Sequence, residues 1–118
     1  MVDVRRIFGD NAEALAARHL EGKGMRILAR QYKTTFGEID LVARDGDEVV
    51  FVEVKARRSN DFGYPEEAVT RTKLEKIMRA GEWYLRSTHR EDAPYRIDVV
   101  AIEFTADPPV LTHLVGVG

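Results

Sequence analysis

The chain has 118 residues, a formal net charge of -2 and a composition that is 44% hydrophobic and 32% charged. That suits one domain over residues 1–118, able to build its own core. It excludes disulfides and thiolate zinc sites, because there is no cysteine, and a pI of about 5.9 argues against a protein that coats DNA through a general cationic excess. No run approaches the roughly 20 apolar residues of a membrane helix, and the opening MVDVRRIFGD has no apolar signal region. A cytoplasmic protein without a membrane partner is the expectation.

In chain order, a first helix is predicted over about residues 10–21, capped by Asp10 or Asn11 and ended by Gly22, Lys23 and Gly24. Ala12, Leu15, Ala16, His19 and Leu20 recur at helical spacing and form its buried stripe. Glu13 falls at the margin of that stripe. Residues 25–30 read as a short strand, and 37–44 and 48–57 as two more. Asp45-Gly46-Asp47 between the last two is a hairpin signal. Residues 59–64 read as a loop, and Pro65 suits a helix start or a turn before one. A long helix falls within 66–87, with Trp83 and Tyr84 expected in the core. Strands over 96–104 and 110–115 follow, parted by Pro108-Pro109. The order αβββαββ predicts an α/β fold with one sheet covered on both faces.

The run 48–57 carries the chemistry. Both of its parities open apolar, with Val49 and Phe51 on one side and Val50, Val52 and Val54 on the other. Such a strand is buried on both faces. Glu53 and Lys55 interrupt one of them, and an ionised group in a covered sheet costs several kcal/mol unless paired or bound to metal. If the hairpin loop is Gly46-Asp47, Asp40 faces Glu53 directly. If it is Asp45-Gly46, which turn chemistry prefers, Asp40 faces Phe51, one step diagonal from Glu53. Either even-length loop puts Asp40, Glu53 and Lys55 on one face. Carboxylates across a ladder repel, and a divalent cation between them turns repulsion into attraction. Lys55 reaches the same volume, where an ammonium orients a water or stabilises charge on a phosphate. An ordinary ion-pair network at a solvated sheet edge is the competing reading of the same residues.

Other residues carry weaker signals. Arg57 and Arg58 end the third strand and suit either phosphate contact or a solvated loop entrance. Phe62-Gly63-Tyr64 offers an aromatic to a splayed base, although a packed loop anchor fits as well. Glu38 shares the parity of Asp40 and could serve as an accessory ligand, but a surface salt bridge to Lys55 is the expected role. His19, His89 and His113 are not spaced as a zinc site, and Asp98 is expected to cap or to pair with Arg96.

The segments Gly9-x-x-Ala12-Glu13, Gly37-Glu38-Ile39-Asp40-Leu41, Val50-Phe51-Val52-Glu53-Val54-Lys55-Ala56-Arg57 and Pro65-x-Glu67-Ala68-Val69 precede Lys73 and Arg96-x-Asp98-Val99-Val100. Together they resemble the YraN family of small bacterial proteins, over nearly the whole chain. That family is similar to the PD-(D/E)XK, or restriction-endonuclease-like, superfamily, and in particular to archaeal Holliday-junction resolvases. The resemblance implies a three-layer α/β/α fold around a mixed five-stranded sheet. It implies Glu13, Asp40 and Glu53 as ligands of Mg2+ or Mn2+, and Lys55 beside them as the residue that acts on the water or the phosphate. The proline of the PD motif is absent, since Ile39 precedes Asp40, and Lys73 stands as a candidate for the polar residue some relatives carry on the following helix.

Two functions remain in competition. One is a metal-dependent endonuclease that hydrolyses DNA phosphodiesters, branched DNA among them, using Asp40, Glu53 and Lys55, with Arg57, Arg58 and Lys73 on nucleic acid. The other is a binding module of the same fold without turnover, serving a DNA processing or recombination assembly. A homodimer is expected only by analogy with the resolvases.

Overall fold

The computed structural model describes residues 4–57, 69–105 and 107–118, with side chains from residue 11 onward. The elements are α1 (Val4–Gly22), β1 (Arg26–Thr34), β2 (Gly37–Asp45), β3 (Glu48–Arg57), α2 (Arg71–Ser87), β4 (Tyr95–Glu103) and β5 (Val110–Leu114). The order αβββαββ is the expected one. The five strands form one sheet in the order β1-β2-β3-β4-β5. β3 and β4 are parallel and the other neighbours antiparallel. The parallel pair is the one that needs a long crossover, and α2 supplies it.

Each helix covers one face. Ala12, Ala16, Ala17 and Leu20 of α1 pack on Leu41, Ala43, Val50, Val52, Val100 and Ile102. Ile77, Ala80, Tyr84 and Leu85 of α2 pack on Val42, Val49, Phe51 and Ile97. β3 sends alternate residues into the two cores, which is why both of its parities are apolar. Gly81 lets α2 approach closely: a Cβ there would meet Phe51 Cε2 at 2.5 Å.

Two local expectations need correction, and a third, the long helix within 66–87, gains its start. α1 starts at Val4 rather than near Asp10, so neither Asp10 nor Asn11 caps it. Gly9 within it costs about 1 kcal/mol relative to alanine, too little to stop a helix held by packing. β1 is longer than predicted and ends at Thr34. α2 begins at Arg71, where the Thr70 side chain accepts a hydrogen bond from the Lys73 N–H at 3.2 Å. Pro65 and the Phe62-Gly63-Tyr64 stretch lie outside the described residues.

Candidate active site

The β2–β3 loop is Gly46-Asp47, with Asp45 opposite Glu48. The register therefore follows the loop that turn chemistry favoured less. Gly46, at the first central position, takes a φ of 61°, the left-handed value a tight hairpin turn needs there. The regular pairing runs from Asp45↔Glu48 to Leu41↔Val52 and stops short of Asp40 and Glu53.

At that point the sheet is irregular on both sides of β2. Leu41 and Ala43 pack against α1, but Ile39 packs with the α2 core, so strict alternation breaks at Asp40. On β1, Gln31 falls opposite Asp40 and has a φ of 48°. With the ladder interrupted, the Asp40 carboxylate takes a backbone partner instead: the Val54 N–H donates to Asp40 Oδ2 at 2.8 Å. β2 and β3 thus part around a carboxylate.

The electrostatics are unfavourable for an anion. The Asp40 carboxyl is pushed up to about 7 from its ordinary 3.8. Burial is the main cause, followed by the charge of Glu53, with Glu13 and Glu38 adding to it and the Val54 N–H opposing. α1 supplies Glu13, whose Oε2 accepts from Gln31 Nε2 at 3.4 Å. Glu53 is 6% exposed and pairs with Lys73 Nζ at 2.5 Å. Lys73 lies in the first turn of α2, where a cation opposes the helix dipole. Glu53 offsets that cost.

Glu38, Glu53, Thr70, Lys73 and Lys76 line a pocket of about 340 Å3 between the end of β2 and the start of α2. Lys55 is exposed, and among the described residues it makes no ion pair, so the expected Glu38–Lys55 bridge does not form. Arg57 ends β3 opposite Glu103, half-buried. Arg58 lies outside the described residues. Lys73 contacts Glu53, a carboxylate of the site, while its side chain stays partly exposed at the pocket.

The donor set is hard oxygen, which suits Mg2+ or Mn2+. Among the described residues no three acidic or histidine side chains are already gathered into a cage. Mg2+ commonly uses one or two carboxylates and completes its shell with water and substrate phosphate. The residues therefore fit as an Asp40–Glu53 pair, with Glu13 at greater range.

Two features were not read from the sequence. One is the Lys73–Glu53 pair, which is long-range and leaves no local pattern. The other is a second buried carboxylate, Asp98, with its full set of partners. Arg96 Nε donates to Asp98 Oδ1 at 3.0 Å, the Gly116 N–H to Oδ1 at 2.9 Å, and His113 Nε2 lies 2.8 Å from Oδ2. Lys23 Nζ lies 2.8 Å from His113 Nδ1. An ammonium only donates, so Nδ1 accepts and Nε2 carries the proton toward Asp98. The expected Arg96 pairing is present, and the histidine is additional to it.

A mixed five-stranded sheet with a helix on each face, parted around a carboxylate between its second and third strands, defines a small α/β protein. The chain belongs to the uncharacterised protein family UPF0102, whose model matches residues 12–102. This is the YraN family to which the sequence motifs point. It is 42% identical to a UPF0102 protein of Desulfosudis oleivorans over 87% of this chain and 84% of that one. It is 43% identical to one of Syntrophomonas wolfei over 95% and 97%. A third, of Paenarthrobacter aurescens, is 47% identical over 94% and 93%. Among solved structures, SfsA of Pyrococcus furiosus in complex with Ca2+ is a remote likeness, with a TM-score of 0.46 and 14% identity over 97% of this chain and 65% of that one. No helix among the described residues is long and apolar enough to cross a membrane.

Proposed function

We propose that this chain is a nucleic-acid-binding protein that hydrolyses DNA phosphodiesters as a divalent-metal-dependent endonuclease. The observation that carries this reading is Asp40. Its carboxyl sits at a break in the sheet, raised to about 7 by burial and by Glu53, Glu13 and Glu38. A sheet shaped only for stability has no use for carboxylates concentrated at a parted ladder.

Asp40 and Glu53 would hold Mg2+ or Mn2+, with Glu13 nearby. Such an ion supplies a polarised phosphate and a water acidic enough to attack it. The chain's own residues do the rest. The Val54 N–H orients the Asp40 carboxylate. Lys55, exposed two residues beyond Glu53, meets the charge that develops on phosphorus. The start of α2, with Lys73 and Lys76, borders the pocket where an anion would enter.

A second reading is favoured by one observation: Lys73 already neutralises Glu53. In that reading the site binds nucleic acid without turning it over. The test is incubation with Mn2+ and single-stranded, duplex, flap and four-way-junction DNA, beside Asp40→Ala. Mn2+-dependent cleavage lost in Asp40→Ala is the expected outcome. Cleavage that survives the substitution sinks the mechanism, and binding without cleavage in both proteins moves the choice to the second reading.

A further inference from the structure

Trp83 does not join the core. It is 48% exposed on α2, while its neighbour Tyr84 is buried. At 100° per residue, Lys76, Arg79, Trp83 and Arg86 share one stripe of the helix, pointing away from the sheet. All four are exposed. The stripe extends roughly 15 Å along the helix axis. Glu75 and Glu82 sit on the next flank, and Glu75 is paired with Arg71 at 3.8 Å.

A second aromatic lies near the upper end of this stripe. Phe36, in the β1–β2 turn, is 43% exposed, and the Phe36 N–H is held by Thr34 Oγ1 at 3.0 Å. Phe36, Thr72, Lys76 and Arg79, with Glu75 paired to Arg71 beside them, line a groove of about 330 Å3. That groove shares Thr72 and Lys76 with the carboxylate pocket. One continuous surface therefore runs from Glu53, past Phe36, and down the outer face of α2.

We propose that this surface, Phe36 with Lys76, Arg79, Trp83 and Arg86, grips unpaired nucleotides and leads a single strand to the carboxylates. The occupant follows from the chemistry. Exposed aromatics in a lane of cations match alternating bases and phosphates, whereas a flat apolar partner would leave three cations unpaired. In a duplex the base faces are already stacked on one another, so an aromatic gains little there. Stacking of one base on an aromatic contributes roughly 1–3 kcal/mol and is indifferent to sequence. The inference rests on the metal-site reading only for where the strand leads.

Trp83 is the only tryptophan in the chain, so its fluorescence reports directly on this surface. The full chain is titrated in EDTA with fluorescein-labelled oligo(dT), oligo(rU) and a blunt duplex. Saturable quenching by the single strands, with weaker binding of the duplex, is expected. By fluorescence anisotropy Trp83→Ala loses roughly 5- to 100-fold in affinity. Arg79→Gln/Arg86→Gln lowers the slope of log affinity against log salt by about 0.7 per cation removed. Both sets of substitutions lie on an exposed face, and thermal melts confirm that the variants are folded.

Affinity within twofold of the parent in both Trp83→Ala and the double arginine variant overturns the proposal. So does saturation with Trp83 unquenched. A change in Trp83 emission that follows protein concentration without any oligonucleotide assigns the face to a second copy of the chain and likewise overturns it. The two readings fail separately. Quenching without Mn2+ uptake sinks the metal site and leaves this surface. Mn2+-dependent cleavage of single strands that Trp83→Ala leaves unchanged sinks this surface and leaves the metal site.

Discussion

Asp40, half-buried, and Asp98, fully buried, are carboxylates on the same sheet, and the fold treats them in opposite ways. Asp98, fully buried, receives two nitrogens of Arg96, a backbone N–H and a histidine. The Arg96 guanidinium is in turn shared with Glu48 at 2.6 Å and Asp45 at 3.1 Å, and these carboxylates, that of Asp98 foremost, push its pKa up. Asp40 has one backbone N–H and three carboxylates for neighbours. Burial of an acid is therefore not the mark of a functional site in this molecule. The distinguishing mark is partial burial among like charges, which a bound proton or an added cation relieves.

The largest expected effect breaks the satisfied side of the comparison. Asp98→Ala removes the acceptor of the Gly116 N–H and of Arg96 Nε and Nη2, and leaves Arg96 only its Nη1 contacts with Glu48 and Asp45. We expect a loss of about 3–5 kcal/mol in urea unfolding, as for a buried pair deprived of one partner. A loss under about 1 kcal/mol would show that Asp98 is not holding the β4–β5 end together.

Asp40→Asn should act in the other direction. The folded value, about 7, lies above the ordinary 3.8, so the native state holds its proton more tightly than the unfolded chain. The stability this gives is fully present below about pH 4 and is lost as pH rises through 7. The metal-free parent should therefore weaken between pH 5 and 8. Asparagine still accepts from Val54 and carries no charge, so that slope should vanish and the variant should gain about 1–3 kcal/mol at pH 8. Mn2+ must displace the same proton, so its affinity in the parent should fall as pH drops below 7. Flat Mn2+ affinity between pH 6 and 8 would remove Asp40 from the ligand set.

Much of this contrast was open to sequence reasoning, and the limits have physical causes. β3 was bounded correctly because a continuous apolar run, a glycine turn and terminal charges all agree. Either even-length loop brings Asp40 close to Glu53, and the charge of Glu53 does act on Asp40, although the regular ladder ends one pair short of them. The choice between loops did not follow, because Asp45-Gly46 and Gly46-Asp47 are both good turns and packing selects one. Trp83 and Tyr84 were both expected inside, yet adjacent helical residues point about 100° apart. The close approach of Gly81 to Phe51 selects Tyr84. Gln31 in a left-handed conformation and the Lys73–Glu53 pair depend on elements brought together only by the fold.

The smallest effect sharpens the comparison most. Lys73 is the one cation seen on the carboxylates of this site among the described residues. It is partly exposed, so the pair contributes at most about 1 kcal/mol after screening. Lys73→Gln should therefore lower stability slightly. It should also leave Glu53 uncompensated, which deepens the site's negative potential and frees an oxygen for metal. If Lys73 holds the place of a cation, Mn2+ should bind several-fold tighter to Lys73→Gln than to the parent, by isothermal titration. If Lys73 instead orients Glu53 for the metal, removing it should weaken Mn2+ binding. The sign of that change decides whether the Glu53 end of the site resembles Asp98, an acid satisfied by its own protein, or Asp40, an acid left waiting for a cation.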